Sequence, residues 1–163
     1  MRKSAALALI VVAALTANVA RAQSERAGVA LPPAMALYLE RCGGCHGLQG
    51  VSAPQIVPTL RGQAGHFLCT REGREYIARL PSVASTPADD GLLADLVNFV
   101  AFDMGGGDDA RYPRFTAEEV ARLRRNPLTD ATLTAYRRAV VDRLIKTCGA
   151  PESLRAYVGP RSN

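Results

Sequence analysis

The sequence predicts an all-α protein with one main folded domain. Apolar residues recur at intervals of three and four in several segments, which is the spacing of one helix face. These segments begin at helix-capping residues or proline and end at glycine or proline. No segment alternates apolar and polar residues in the convincing way that indicates a strand. A length of 163 residues suits one domain.

The N-terminal segment is typical of an export signal. Two basic residues precede an uncharged, apolar run over residues 5–19, and the small-residue pattern Ala-Arg-Ala occupies residues 20–22. We interpret residues 1–22 as a cleaved signal peptide, which predicts a periplasmic protein without a membrane span after cleavage. The alternative is an uncleaved anchor, although the apolar run is a little short of the roughly 20 residues that a spanning helix needs.

Cleavage would change the charge of the protein. Removing Arg2, Lys3 and Arg21 from the 20 basic residues leaves 17 against 15 acidic residues, so the net charge falls from +5 to +2. This charge is too small to predict binding to nucleic acid.

The first predicted helix follows a loose polar leader over residues 23–32. It starts near Pro33, which suits a first helical turn, and it carries Met35, Leu39 and Cys42 on one face. A shorter helix is expected further on, in the segment REGREYIARL, and it ends before a proline.

The segment STPADDGLLADLVNFVAFDM is the clearest helix. Thr86 is its candidate N-cap, Pro87 suits its first turn, and Asp89 and Asp90 favour the positive end of the helix dipole. Its apolar stripe consists of Leu92, Leu93, Leu96, Val97 and Val100. A loop over residues 47–65, rich in glycine and proline, precedes both this helix and the shorter one.

Two more helices are predicted toward the C-terminus. The segment FTAEEVARLR begins with a capping box formed by Thr116 and Glu119. The segment TDATLTAYRRAVVDRLIKTCG is amphipathic, and Gly149 is its candidate C-cap. The apolar stripe of this last helix consists of Leu133, Tyr136, Val140 and Leu144. We expect a main domain over residues 33–126 and a helical extension over residues 127–163 that packs on it.

The segment ERCGGCHGLQG, residues 40–50, carries the chemistry. A redox pair of the CxxC type usually opens a helix after a strand, and no strand is predicted here. A zinc site needs four compactly spaced ligands, and the adjacent Cys45 and His46 suit one tetrahedral ion poorly. The pattern CxxCH is the attachment signal of haem c. It predicts one covalently bound haem, with Cys42 and Cys45 as thioether residues and His46 as the proximal iron ligand.

Several motifs together resemble the class I c-type cytochromes. They are LYLERCGGCHGLQG, PTLRGQ, an amphipathic helix, a methionine and FTAEEVARL, over about residues 34–125. The resemblance implies a cytochrome c fold, in which helices wrap around one covalently bound haem, with residues 127–163 adding an extra C-terminal helix. It also implies that the carbonyl of Pro58 accepts a hydrogen bond from Nδ1 of His46 and that Leu60 packs on the haem.

The resemblance further implies a methionine sulfur as the sixth iron ligand. Met104 is the main candidate, because it ends the clearest helix and borders three glycines that would let the backbone approach a flat cofactor. His66, Met35 and an open sixth position are the alternatives.

Other residues are candidates around the cofactor. Arg61, Arg74 and Arg79 are candidates to bind the haem propionates, because guanidinium pairs bidentately with carboxylate. Tyr76 is a candidate either to donate a hydrogen bond to a propionate or to pack in the pocket.

Two cysteines remain outside the CxxCH motif. Cys69 and Cys148 are expected to form a disulfide, because an exported protein matures in an oxidising compartment. This bond would tie the middle of the chain to the last helix.

These features predict a one-electron carrier and no enzyme. The expected donor is a periplasmic dehydrogenase, and the expected acceptor is a cytochrome or a terminal oxidase. The extension over residues 127–163 is a candidate docking element for a dedicated dehydrogenase. The alternatives are a haem subunit of a larger dehydrogenase complex, and a haem enzyme or gas sensor with an open sixth site.

Overall fold

The computed structural model describes residues 30–52 and 57–157. Pro33 and the described residues after it belong to one compact unit. Within these ranges the ordered elements are helices, and no strand is present, so the predicted all-α class is confirmed. The predicted signal peptide and most of the predicted leader lie outside the described residues.

The helices follow one another along the chain with short connections. The α-helices are α1 Pro33–Arg41, α2 Gly43–His46, α3 Arg71–Arg79, α4 Pro81–Ala84, α5 Asp90–Asn98, α6 Ala117–Arg124 and α7 Asp130–Cys148. Three further segments have other helical geometry, namely the 3₁₀ helices Ala64–Cys69 and Glu152–Ala156 and the π-helical Phe99–Met104 that continues α5.

The core is formed where α1 packs on α5 and its π-helical continuation. The fully buried Tyr38 meets the ring of Phe99 edge to face, with 5.6 Å between the ring centres. The buried face of α1 consists of Leu37 and Tyr38, whereas Met35 is only half-buried. The predicted stripe was therefore rotated from the true one, because a helix of nine residues takes its inner face from the helix that it meets.

The predicted N-cap at Thr86 is wrong. Helix α5 begins at Asp90, and the carboxylate of Asp89 caps it by accepting a hydrogen bond of 2.9 Å from the amide of Leu92. The hydroxyl of Thr86 instead donates to the carbonyl oxygen of Ser82 at 2.9 Å. Thr86 thus serves the end of the preceding short helix, α4.

The capping box of α6 is confirmed in one of its two halves. The hydroxyl of Thr116 accepts a hydrogen bond of 3.2 Å from the amide of Glu119. The carboxylate of Glu119 does not reach back to the cap, because it receives Nε and Nη2 of Arg74 at 2.7 Å each. This bidentate pair holds α3 against α6.

The C-terminal helix α7 packs on α3 and on the 3₁₀ helix Ala64–Cys69. It buries Val140 and Leu144 of the predicted stripe, and Gly149 ends it in the predicted left-handed conformation with φ of 65°. Cys148, its last residue, forms the predicted disulfide with Cys69, with 6.5 Å between the two Cα atoms. The last helix is therefore fixed to the middle of the chain by both packing and a covalent bond.

Candidate cofactor site

The CxxCH segment forms a single helical turn that follows α1. The amide of Cys42 donates to the carbonyl oxygen of Tyr38 at 2.8 Å, and the amide of His46 donates to that of Cys42 at 2.9 Å. Residues separated by four positions lie on the same face of a helix, so α2 brings Cys42 and His46 to one side. Cys42 is half-buried, Cys45 is exposed, and both thiols are free.

The imidazole of His46 is held by the loop that follows. Its Nδ1 lies 2.8 Å from the carbonyl oxygen of Pro58, which is the hydrogen bond that the sequence resemblance implied. Because a carbonyl only accepts, Nδ1 carries the proton and Nε2 keeps its lone pair. Burial lowers the pKa of His46, and the hydrogen bond to Pro58 partly opposes this effect. The geometry therefore presents Nε2 as the ligand atom.

The loop is tied to α1 and to itself. The hydroxyl of Tyr38 donates to the carbonyl oxygen of Gly47 at 2.6 Å. The carbonyl oxygen of Gly50 accepts the amides of Leu60 at 2.8 Å and Arg61 at 3.0 Å. Tyr38 thus fixes the turn after His46, a role that its position beside the predicted apolar stripe did not reveal.

Met104 lies against this same loop. Its side chain is 7% exposed, and its Sδ occupies the position where a Cβ on Gly50 would lie. Its carbonyl oxygen accepts the amide of Gly62 at 3.0 Å. The loop on which the sulfur packs is the one that holds the Nδ1 side of His46. These contacts give Met104 a packing role, and its assignment as the sixth ligand stays a prediction.

The three glycines after Met104 allow a close approach of two backbone segments. The amide of Gly65 donates to the carbonyl oxygen of Gly105 at 3.0 Å. A Cβ on Gly65 would overlap backbone atoms of residues 105–107, and one on Gly107 would overlap the side chain of Leu68. The sequence suggested that these glycines approach a flat cofactor, whereas in the structure they approach the 3₁₀ helix Ala64–Cys69.

The three arginines proposed as propionate ligands bind protein groups. Nε of Arg61 donates to the carbonyl oxygen of Gln49, and Nε of Arg79 donates to that of Asn126, both at 2.6 Å. Besides its pair with Glu119, Arg74 donates from Nη1 to the carbonyl oxygen of Pro113 at 2.7 Å. The donors of Arg74 are therefore directed at α6 and the segment before it.

The remaining predicted pocket residues lie in apolar surroundings. Leu60 is half-buried against the core. The ring of Tyr76 is stacked between those of Phe67 and Tyr136, at 5.3 and 6.2 Å between centres. His66 is half-buried in the 3₁₀ helix Ala64–Cys69.

Sequence reasoning missed Arg137. This arginine on α7 is as buried as its apolar neighbours. It is separated by four positions from both Leu133 and Val141, so helical spacing places it on the inner face. That spacing was the available signal, but an arginine at such a position is normally assigned to the surface.

Ligands for an ordinary metal site do not converge within the part of the chain that the structure covers. No group of three or more His, Cys, Asp or Glu side chains lies close enough there to hold a metal ion. No helix among the described residues is long and apolar enough to cross a membrane.

The residues present fit a covalently attached haem. Two free thiols three positions apart, an imidazole with its Nε2 available and a carbonyl that fixes its orientation form the donor set that this group requires. Deeper in the fold, two guanidinium nitrogens of Arg137 are buried without a hydrogen-bond acceptor. Such donors suit a cofactor that carries carboxylates.

Comparisons with known proteins agree with this site. The chain is 29% identical over 117 residues to a cytochrome c-552 of Thermus thermophilus, a match over 60% of this chain and 89% of that protein. It is 30% identical over 117 residues to a second cytochrome c-552, from another strain of the same species, a match over 60% of this chain and 79% of the relative. No family model and no solved structure matches. On these similarities, the chain belongs to the c-type cytochromes.

Proposed function

We propose that the protein is a mono-haem class I c-type cytochrome that carries single electrons. One haem c is attached through thioether bonds to Cys42 and Cys45, and Nε2 of His46 binds its iron. The observation that carries this proposal is the hydrogen bond of 2.8 Å between Nδ1 of His46 and Pro58, next to two free cysteine thiols. The similarity to two proteins named cytochrome c-552 supports it.

The bound haem supplies reversible one-electron chemistry at its iron. The chain's own residues hold and tune this group. Pro58 keeps the proton on Nδ1 of His46, which orients the ring and makes Nε2 more basic. Tyr38 anchors the turn after His46 and so limits movement of the ligand. A site that changes little between two oxidation states suits fast electron transfer.

Electron exchange is expected at the exposed side of the CxxCH turn. Gly44 and Cys45 are exposed there, and the nearby side chains of Leu48 and Val51 are 70% and 55% exposed. A small apolar surface suits a weak and short-lived interface. The proposed donor is a periplasmic dehydrogenase, and the proposed acceptor is a cytochrome or a terminal oxidase.

Covalent attachment tests the assignment of the site. After production with a haem c maturation system, the protein should keep its haem through acidic acetone extraction. The double variant Cys42→Ala/Cys45→Ala should release it, since both thioether bonds are lost. Cys69→Ala/Cys148→Ala, which removes the same number of sulfurs elsewhere, is the control and should retain the haem. Equal release from both double variants would contradict the proposed attachment.

The proposed periplasmic location rests on residues 1–22. Fusing these residues to a reporter enzyme that folds only after export should give activity outside the cytoplasm. Replacing the apolar residues 9–12 with aspartates should abolish that activity. A reporter that stays active only in the cytoplasm would contradict export.

A docking role for the extension needs surface variants, because α7 contributes Val140 and Leu144 to the core and its deletion would disrupt the fold. Arg143 and Lys146 are exposed on α7. If α7 binds a dehydrogenase, Arg143→Glu/Lys146→Glu should slow reduction by that enzyme and leave reduction by dithionite unchanged. Equal rates with the enzyme would argue against docking through α7. Copurification with a large partner would favour a subunit of a dehydrogenase complex over a free carrier.

The contacts of Met104 favour a second candidate function. If its sulfur stays against Gly50, it does not bind the iron, and the protein is a haem sensor or enzyme that takes a small ligand at the sixth position. Carbon monoxide added to the ferrous protein distinguishes the two functions. Rapid binding with a shifted Soret band would favour the second candidate, and no binding would favour the electron carrier.

A further inference from the structure

Arg137 is a buried cation whose donors are only partly used. Its side chain lies within α7 and is 5% exposed. Nη2 donates to the carbonyl oxygen of Leu154 at 3.2 Å, whereas Nε and Nη1 are buried and lack an acceptor among the described residues. An arginine side chain keeps its charge in proteins, and a buried charge without full hydrogen bonding is costly. The arrangement indicates that an anion belongs at this place.

Aromatic rings line the site. The guanidinium carbon lies 5.4 Å from the ring centre of Phe67 and 5.6 Å from that of Tyr157. Tyr76, which stacks on Phe67, interacts electrostatically with Arg137. Aromatic faces stabilise a cation, but they do not satisfy the in-plane N–H groups of Nε and Nη1. These two nitrogens can bind both oxygens of a carboxylate.

Nearby acidic side chains are already paired. Asp142 of α7 and Glu152 of the following 3₁₀ helix both bind Arg155 at the surface. Arg61, Arg74 and Arg79 all donate to protein acceptors. Among these arginines, Arg137 is the one with buried nitrogens that lack an acceptor.

The site adjoins the segment that follows the histidine-binding loop. Phe67, under the guanidinium, belongs to the 3₁₀ helix Ala64–Cys69, and Pro58 lies only nine positions before it. The disulfide from Cys69 to Cys148 holds α7 against this 3₁₀ helix. The extension therefore brings its cation to the same part of the chain that orients the proposed iron ligand.

We propose that Arg137 binds a carboxylate of the cofactor, so that its Nε and Nη1 pair with one haem propionate while Tyr76 lines the same site. The proposal rests on the proposed function, since it requires a bound haem. It makes the C-terminal extension a part of the cofactor site, in addition to any role in docking.

Titration of the propionates tests the proposal directly. The holoprotein is produced with haem labelled with ¹³C in its propionate carboxyl carbons, and their NMR shifts are followed against pH in the ferrous state. A guanidinium favours the ionised form of a carboxyl that it binds. Arg137→Gln should therefore move the titration of one propionate to higher pH. Arg143→Gln removes an exposed charge from the same helix and is the control, in which both propionates should titrate as in the wild type.

Arg137→Lys keeps the charge but replaces the planar fork with a single ammonium group. It should give a titration between those of the wild type and Arg137→Gln, and it serves as the test variant if the glutamine variant does not fold. Identical titration of both labelled carboxyls in the wild type and the Arg137 variants would overturn the proposal and assign the anion to another source. Absence of covalent haem from the wild type would instead contradict the proposed function.

Discussion

The sulfur of Met104 lies against the Cα of Gly50, at the place where any other amino acid would carry its Cβ. Gly50 also has a φ of +75°, which side chains disfavour. This contact joins the end of the π-helical segment to the turn after His46. Packing between helix and loop, and the geometry around the proposed iron ligand, therefore depend on the same two residues.

The first prediction concerns Gly50→Ala. The new methyl group meets Sδ and Cγ of Met104, so it should cost about 1–3 kcal/mol through overpacking, in addition to about 1–2 kcal/mol for the left-handed backbone. Gly62→Ala is the matched control, because Gly62 has a φ of +65° and nothing within 4 Å of the added methyl. Urea unfolding should show the larger loss for Gly50→Ala. The difference should shrink when Met104→Ala is added, and a difference that does not shrink would contradict the contact.

The second prediction concerns Met104→Leu. As a packing residue, Met104 should tolerate this swap of similar volume for less than about 1.5 kcal/mol. The oxidised protein should keep its spectrum, because no iron ligand changes. Met35→Leu, at a half-buried position on α1, is the control. Loss of a far-red sulfur-to-iron band in Met104→Leu alone, together with new binding of carbon monoxide, would establish Met104 as the sixth ligand.

The third prediction concerns the pair of Arg74 and Glu119. Their side chains are 14% and 23% exposed, and the pair is bidentate. A double-mutant cycle with Arg74→Gln and Glu119→Gln should give a coupling of about 1–2 kcal/mol. The exposed pair of Arg71 and Glu75, with atoms 3.8 Å apart, should give about 0.3–0.5 kcal/mol.

Arg74→Gln should also leave the reduction potential nearly unchanged, since its donors are directed at protein groups. A large change in potential would restore the sequence-based assignment of Arg74 to a haem propionate.

The fourth prediction concerns stability in alkaline solution. Burial raises the pKa of Tyr76 to about 12, from 10.0 for an ordinary tyrosine. Ionisation is therefore easier in the unfolded chain, so this contribution to stability is complete below about pH 10 and is lost as the pH rises through 12. Thermal unfolding between those values should show a smaller loss for Tyr76→Phe than for the wild type. Tyr112→Phe should behave as the wild type, and an equal loss in all three proteins would contradict the effect.

The fifth prediction concerns the disulfide of Cys69 and Cys148. The bond joins residues 79 positions apart, so it restricts the unfolded chain strongly. Cys69→Ala/Cys148→Ala should lower the free energy of unfolding by about 2–4 kcal/mol. The loss should be measured on haem-loaded protein by urea unfolding. An unchanged midpoint would show that packing alone holds α7.

Local signals account for what the sequence predicted correctly. Thr116 and Gly149 act through their own backbone and the next turn, so composition alone identified them as caps. Two candidate caps, Thr86 and Asp89, preceded α5, and local chemistry could not choose between them. The choice was made by Ser82, whose carbonyl oxygen took the hydroxyl of Thr86.

Tertiary contacts account for what was missed. Arg137 is buried because α3, α7 and the neighbouring 3₁₀ helices converge around it, and no local pattern distinguishes it from a surface arginine. The position of Met104 depends on a loop whose path is set more than fifty residues earlier, at Gly50. The CxxCH motif was recognisable because its spacing is short and its chemistry is specific.

The disulfide from Cys69 to Cys148 also sets a problem of timing. Four cysteines can pair completely in three ways, and only one of these joins Cys69 to Cys148 as the structure has them. Since a chain is synthesised from its N-terminus, Cys69 waits for a partner until nearly all the remaining residues have been added. During that interval the two motif thiols are its nearest competitors, so the correct product depends on the order in which thioether attachment, thiol reduction and closure of the last helix take place.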